Sequence, residues 1–344
     1  MGYSGPGHEL ADAVNGAQPG LATLANKQVL VTGATGFIGS QLVPRLVECQ
    51  ARVIAAAPGL GWRPWVAKLV QEGKVTFVEA DALTPAGADS LSEYLADVDY
   101  VVHLARVWAQ GNTPLELAVD ETARNLLGSI RFLAIAARRG VGIAYSSSVE
   151  VYGSPEPLPR SEHEPLRPTS PYGVAKMAVE SFLKAHTASA SNSIAILRYA
   201  TVYGPGELAP RAVPNFIRAA LQGQPPVVDG EGLDVRDYVY IRDVVEATLR
   251  VLAASAEGVH VFNVGTGLGC TTIELARLVL RVTGVPLEPI CRPSNHVPLE
   301  IVCDISRAQR ELGYFPAYTL EQGVSAEVGW FRANPALWCT TKDN

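Results

Sequence analysis

The fold is decided by Val29-Leu30-Val31-Thr32-Gly33-Ala34-Thr35-Gly36-Phe37-Ile38-Gly39-Ser40. An aliphatic run enters Gly-x-x-Gly-x-x-Gly, and apolar residues at helical spacing follow at Leu42, Val43, Leu46 and Val47. A strand, a glycine turn and a helix in that order make a site for the phosphates of a dinucleotide. Gly33 permits the tight turn, Gly36 lets the backbone approach a pyrophosphate, and Gly39 lets the helix pack close to the strand. The first helical turn, at Phe37 and Ile38, offers N–H groups and the positive end of the helix dipole.

Working outward, strand patterns recur at residues 51–57, 74–81 and 99–105, with helical patterns between them. That alternation predicts an α/β fold with a doubly wound parallel sheet. An acidic residue at the end of the second strand binds the adenosine ribose in NAD sites. Ala57 stands there instead, which removes repulsion against a 2′-phosphate. NADP therefore stands beside NAD as cofactor, with Arg52 or Arg63 as partners for such a phosphate. The stretch before Lys27 is rich in Gly, Ala and Pro and reads as a tail.

The bulk composition narrows the function class. A chain of 344 residues with 48% hydrophobic and 18% charged residues supports a large core. A net charge of -6 argues against a nucleic-acid surface, though a few local arginines suffice for a small anion. The five cysteines are scattered without a C-x-x-C pair, so neither a disulfide framework nor a metal site is indicated, and a cytoplasmic location is expected. No apolar stretch is long enough to span a membrane.

The chemistry lies further on. A strand at 141–145 runs into Ser146-Ser147-Ser148-Val149-Glu150, and Ser170-Pro171-Tyr172-Gly173-Val174-Ala175-Lys176 opens a helix. Tyr172 and Lys176 stand at i and i+4, on one helical face. A lysine beside a phenol stabilises the phenolate and brings it within reach of base chemistry near neutral pH.

From Lys27 onward these motifs resemble the extended short-chain dehydrogenases/reductases, the family of NAD-dependent nucleotide-sugar epimerases and dehydratases. The resemblance implies a Rossmann-type domain over residues 27–198. Residues 199–344 then form mainly a smaller substrate-binding lobe, with segments about 235–267 returning to the first domain. It implies that Ser148 hydrogen-bonds the reacting hydroxyl, Tyr172 is the acid/base, and Lys176 binds the nicotinamide ribose and tunes Tyr172. Asp81, with Ala82, would lie beside the adenine, and Leu104 and Ala105 would run along the dinucleotide. Asn125-Leu126-Leu127-Gly128 matches a further family element, in a helix ending at Arg138-Arg139-Gly140.

On the substrate side, Arg106 replaces a usual small residue, and Thr201 replaces a usual Asn. Arg236 and Arg292 stand at family positions for the nucleotide diphosphate, where forked cations suit phosphate oxygens. Val149 and Glu150 carry the subclass. An epimerase tolerates an apolar residue at position 149, whereas Glu150 keeps open 4,6-dehydration or uronate decarboxylation. Ala57 keeps open an NADPH-dependent 4-ketoreductase. The first reading is an NDP-sugar epimerase, expected from the family to be a homodimer. A non-catalytic NAD(P) sensor is the alternative from another class, and the intact Ser148, Tyr172 and Lys176 argue against it.

Overall fold

The computed structural model describes residues 21–61, 63–107, 115–153, 158–186, 192–294 and 298–339. The first half of the chain runs β1 (Gln28–Thr32), α1 (Phe37–Glu48), β2 (Arg52–Ala57), α2 (Pro64–Gln71), β3 (Val75–Glu79), α3 (Pro85–Ser92), β4 (Tyr100–His103), α4 (Leu115–Ala123), α5 (Ser129–Arg138), β5 (Gly142–Ser148) and α6 (Pro171–His186). The second half runs β6 (Ser193–Tyr199), β7 (Thr201–Tyr203), α7 (Ala212–Leu221), β8 (Val227–Asp229), β9 (Val235–Tyr240), α8 (Ile241–Ala254), β10 (Gly258–Val264), β11 (Gly269–Thr271), α9 (Thr272–Thr283), β12 (Ile290–Arg292), β13 (Glu300–Ile301), α10 (Ser306–Leu312) and α11 (Leu320–Ala333). No helix among the described residues is long and apolar enough to cross a membrane.

Seven strands make one parallel sheet in the order β10-β6-β5-β4-β1-β2-β3. The continuous apolar run of β1 follows from burial on both faces, as parallel sheets require. Val29 and Val31 point into a core with Leu42, Val43 and Leu46 of α1. Leu30 points the other way, into a core with Phe132, Leu133 and Ala136 of α5. The chain leaves β1 toward β2 and β3 on one side and continues with β4, β5 and β6 on the other. The carboxyl ends of β1 and β4 therefore bound a topological switch point, where ligands of such sheets bind.

The later chain builds a smaller second sheet, with β9 flanked by β11 and β13 and paired with β7. Of the stretch 235–267, β10 completes the edge of the main sheet, while β9 belongs to the small one. The N-terminal boundary also shifts. Residues 1–20 lie outside the described residues, but Leu24 is fully buried and Asn26 N–H donates to Gln50 O at 2.9 Å. The folded body thus includes residues the composition assigned to the tail. The helix expected through Asn125 is interrupted by a π turn at Arg124–Gly128. Gly128 approaches the Leu83 backbone so closely there that a Cβ would lie 2.4 Å from Leu83 O.

Candidate active site

At the switch point the glycine turn has the geometry its spacing predicted. Gly33 holds φ at +66°, and a Cβ on it would lie 2.9 Å from Ala105 N. A Cβ on Gly39 would lie 2.3 Å from Gly33 O, so the contact between α1 and the end of β1 requires a glycine. Gly36 is the N-cap of α1 and supplies no side-chain cap to the first turn, where Phe37 and Ile38 sit. Beside Gly33 lies a depression of about 360 Å³, lined also by Ala57, Pro58, Ala80, Asp81, Ala82, Leu83, Ala105, Arg106, Val107 and Arg124. An uncapped helix end beside a floor of small residues fits the pyrophosphate and adenosine of a dinucleotide. Leu104 is anchored beside it, its N–H donating to Thr32 O at 3.2 Å.

Two expectations for this end are corrected. Arg52 begins β2 and Ala57 ends it, so the two Cα atoms are roughly 16 Å apart. Arg63 is buried, with Nε donating to Thr35 O at 3.0 Å and Nη2 to Gly206 O at 3.1 Å. One arginine is at the wrong end of the sheet and the other ties the glycine turn to the Gly206 loop, so neither is placed to hold a 2′-phosphate. Asp81 lines the depression, yet its Oδ1 accepts from Leu83 N at 3.0 Å and its Oδ2 from Arg124 at 2.8 Å.

The residues expected to carry the chemistry come together where β5 meets α6. Ser148 ends β5, and its Oγ accepts from Glu150 N at 3.2 Å. Lys176 is buried, its Nζ donating to Ser146 O at 2.6 Å and standing 5.6 Å from the centroid of the Tyr172 ring. Burial pushes the Lys176 ammonium down to about 7, the nearby Arg106 cation pushes the same way, and the Glu180 carboxylate opposes both. Arg106 itself lies over the Tyr172 ring, 5.3 Å from its centroid. Val149 is buried, and Glu150 Oε2 accepts from Ser170 Oγ at 2.6 Å. Ser170 Oγ in turn accepts from Gly173 N at 3.0 Å, so Glu150 is built into the N-terminal cap of α6. His103, behind this site, is structural. Burial and Lys176 hold it at about 3, and its ring nitrogens meet Thr32 Oγ1 at 2.8 Å and Ser129 Oγ at 3.0 Å.

The substrate-side residues are more dispersed. Thr201 begins β7, two residues beyond Tyr199, the sheet partner of Ser148. Arg236 lies on β9 between Cys270 and Ile301. Arg292 is exposed on the separate β8–β12 ribbon, and its Nε donates to Asp229 at 2.8 Å. That engagement is one the sequence did not indicate.

Some residues in or behind the site escaped sequence reasoning. Arg124 lines the depression beside Gly33 and pairs there with Asp81. The Asn125 side chain clamps the loop after β4, accepting from Val107 N at 2.8 Å and donating to Val107 O at 2.9 Å. The Asn-x-x-Gly pattern was visible, but the π turn that aims Asn125 at the loop was not. Glu180, four residues after Lys176, carried a signal in its spacing that looked like an ordinary helical charge.

Residues 29–265 match the NAD dependent epimerase/dehydratase family. The chain is 33% identical over 314 residues to a UDP-glucose 4-epimerase of Mycolicibacterium smegmatis, covering 89% of this chain and 98% of the relative. It is 31% identical over 322 residues to a dTDP-glucose 4,6-dehydratase of Streptomyces antibioticus, covering 90% of this chain and 94% of the relative. Among solved structures, the UDP-glucose 4-epimerase of Thermotoga maritima with UDP-glucose superposes with a TM-score of 0.79 at 31% identity, covering 90% of this chain and 99% of that one.

Proposed function

The chain belongs to the NAD-dependent epimerase/dehydratase family, and we propose that within it this protein is a nucleotide-diphosphate-sugar 4-epimerase. One observation carries the choice. Glu150, the carboxylate that dehydration or decarboxylation would use, is hydrogen-bonded by Ser170 in the cap of α6, beside the aliphatic Val149. A carboxylate committed to a helix cap is poorly placed to take a proton from a sugar carbon, and Val149 has no proton to give a leaving hydroxyl.

NAD, when bound, supplies a two-electron acceptor that later returns the electrons to the sugar. The protein's own groups manage the proton and the geometry. Ser148 holds the sugar's C4 oxygen from the end of β5. The Tyr172 phenolate takes the hydroxyl proton as C4 is oxidised and gives it back as C4 is reduced on the opposite face. Lys176, at i+4, supplies the positive charge that favours the phenolate. The glycine turn and the first turn of α1 hold the pyrophosphate, with Asp81, Ala82, Leu104 and Ala105 along the cofactor. Thr201, Arg106 and Arg236 face the sugar nucleotide in this reading, and Arg292 joins them after exchanging Asp229 for a phosphate.

The reading includes a homodimer and a cytoplasmic location. The dimer is supported by apolar side chains left exposed on neighbouring elements: Leu117 and Val119 of α4, Leu127 of the π turn and Val174 of α6. The location is supported by five cysteines that are all unpaired.

The test is incubation with NAD and a panel containing UDP-glucose, dTDP-glucose and UDP-glucuronic acid, with products separated and weighed by mass spectrometry. An isobaric product with a new retention time is expected. Loss of water or of carbon dioxide overturns the epimerase reading.

A further inference from the structure

Behind Tyr172 and Lys176 lies a buried charge pair that the reaction scheme does not use. Glu180 follows Lys176 by four residues on α6, so Tyr172, Lys176 and Glu180 form a ridge down one side of the helix. Glu180 is fully buried. Its Oε1 accepts from Ser147 Oγ at 2.5 Å and from Arg198 Nε at 3.1 Å, and its Oε2 accepts from Arg198 Nη2 at 2.7 Å. Lys184 reaches the same oxygen at 3.3 Å from the helix surface. Arg198, from β6, also donates to the Tyr152 hydroxyl at 2.9 Å, and that hydroxyl donates to Asn263 of β10 at 2.6 Å. The consecutive serines of β5 thus divide the work: Ser146 O holds Lys176, Ser147 holds Glu180, and Ser148 is left at the strand end.

We propose that Glu180 is a positioning residue for the oxidation and reduction of the sugar, acting through Lys176. Pinned by Ser147 and Arg198, it sets the register of α6 against β5 and β6 and supplies the buried negative charge that balances the Lys176 ammonium. The proposal rests on the roles given above to Tyr172 and Lys176.

Several charged and titratable groups from neighbouring elements act on Lys176 and Glu180. Arg106, from the loop after β4, acts on Lys176 against its charge, as burial does, and Glu180 acts for it. Tyr145 of β5 lies 4.8 Å below Nζ and Tyr172 lies 5.6 Å away, while His103 of β4 is held neutral by burial and by Lys176 itself. Burial pushes the Glu180 carboxyl up, but Arg198, Ser147 and Lys184 outweigh it and leave it below its ordinary range, so it stays charged at neutral pH. Removing that charge lets Lys176 lose its proton at lower pH.

The experiment measures NAD affinity by calorimetry from pH 5 to 9.5 for the wild-type chain, Glu180→Gln and the double variant Glu180→Gln/Arg198→Met, together with turnover of a nucleotide sugar. NAD binding reads Lys176 without any sugar. The double variant removes both buried charges together, which spares the fold where the single change strands Arg198. Expected is an alkaline loss of NAD affinity whose midpoint lies about one pH unit lower in Glu180→Gln and shifts by less in the double variant, where the opposing Arg198 charge is also gone, with kcat reduced about tenfold and sugar KM nearly unchanged. Identical midpoints in a folded variant overturn the proposal. A shifted midpoint in a protein that turns over no nucleotide sugar supports Glu180's role and counts against the epimerase reading instead.

Discussion

At the scale of the residue, the proposed acid/base pair is a balance of charges. Lys176 is buried between the Arg106 cation and the Glu180 carboxylate, and its Nζ is fixed on Ser146 O. Tyr172 shares the helical face and carries the proton in the proposed chemistry. Tyr172→Phe should lower kcat by about 10²–10⁴-fold, the usual worth of a positioned acid/base. NAD affinity should change less than threefold, which calorimetry on the same protein checks. Unchanged turnover would remove Tyr172 from the reaction. Ser148, Tyr172 and Lys176 were legible in the sequence because each signal is local: a strand end and an i, i+4 spacing. Glu180 and Arg198 were not, because they lie eighteen positions apart on two different elements. In the sequence one reads as a helix charge and the other as part of a strand. Arg106 was visible as an unusual residue, but its placement over Tyr172 is a property of the loop that Asn125 clamps.

At the scale of the element, the glycine turn and the strand behind it make two separable predictions. Gly39→Ala drives a methyl group to within 2.3 Å of Gly33 O. Helix α1 must then lift from β1, at a cost of about 2–3 kcal/mol in urea unfolding, with NAD binding lost. Gly59→Ala, where a Cβ meets nothing within 4 Å, should leave both unchanged. In β4, His103 is fully buried and held at about 3 by burial and by Lys176. The unfolded chain takes up that proton near 6.5, so stability falls as the pH drops between those values, by about 1.4 kcal/mol per unit. From pH 7 to pH 5 this group should account for about 2 kcal/mol of lost stability. His103→Gln should lack that share of the loss in paired urea titrations, and an identical loss in both proteins would contradict the assignment. Element order was legible because β-branched runs buried on both faces alternate with helical patterns. The π turn and the pairing of β9 with β7 were not, since both depend on contacts between distant segments.

At the scale of the whole molecule, the sheet places two halves of one site at a single edge. The turn after β1 meets the end of β4, and β5 delivers Ser148 beside the first turn of α6. The exposed side chains of Leu117, Leu127 and Val174 mark the face proposed for dimerisation. Leu127→Asp, at a residue 65% exposed in the single chain, should leave the chain folded by circular dichroism while shifting light scattering toward a monomer, with the thermal midpoint lowered by whatever association contributed. A monomeric wild type would contradict the dimer. The central claim concerns what happens at C4 of the sugar. It is tested most directly by running the reaction in heavy water and weighing the product after exchangeable deuterium is washed out. C4 oxidation and reduction with Glu150 idle returns the same hydrogen to carbon, so the product should be isobaric with the substrate and carry no carbon-bound deuterium. A product that has lost water or carbon dioxide, or that carries deuterium on carbon, would show that a bond at a carbon other than C4 is broken and would contradict the account.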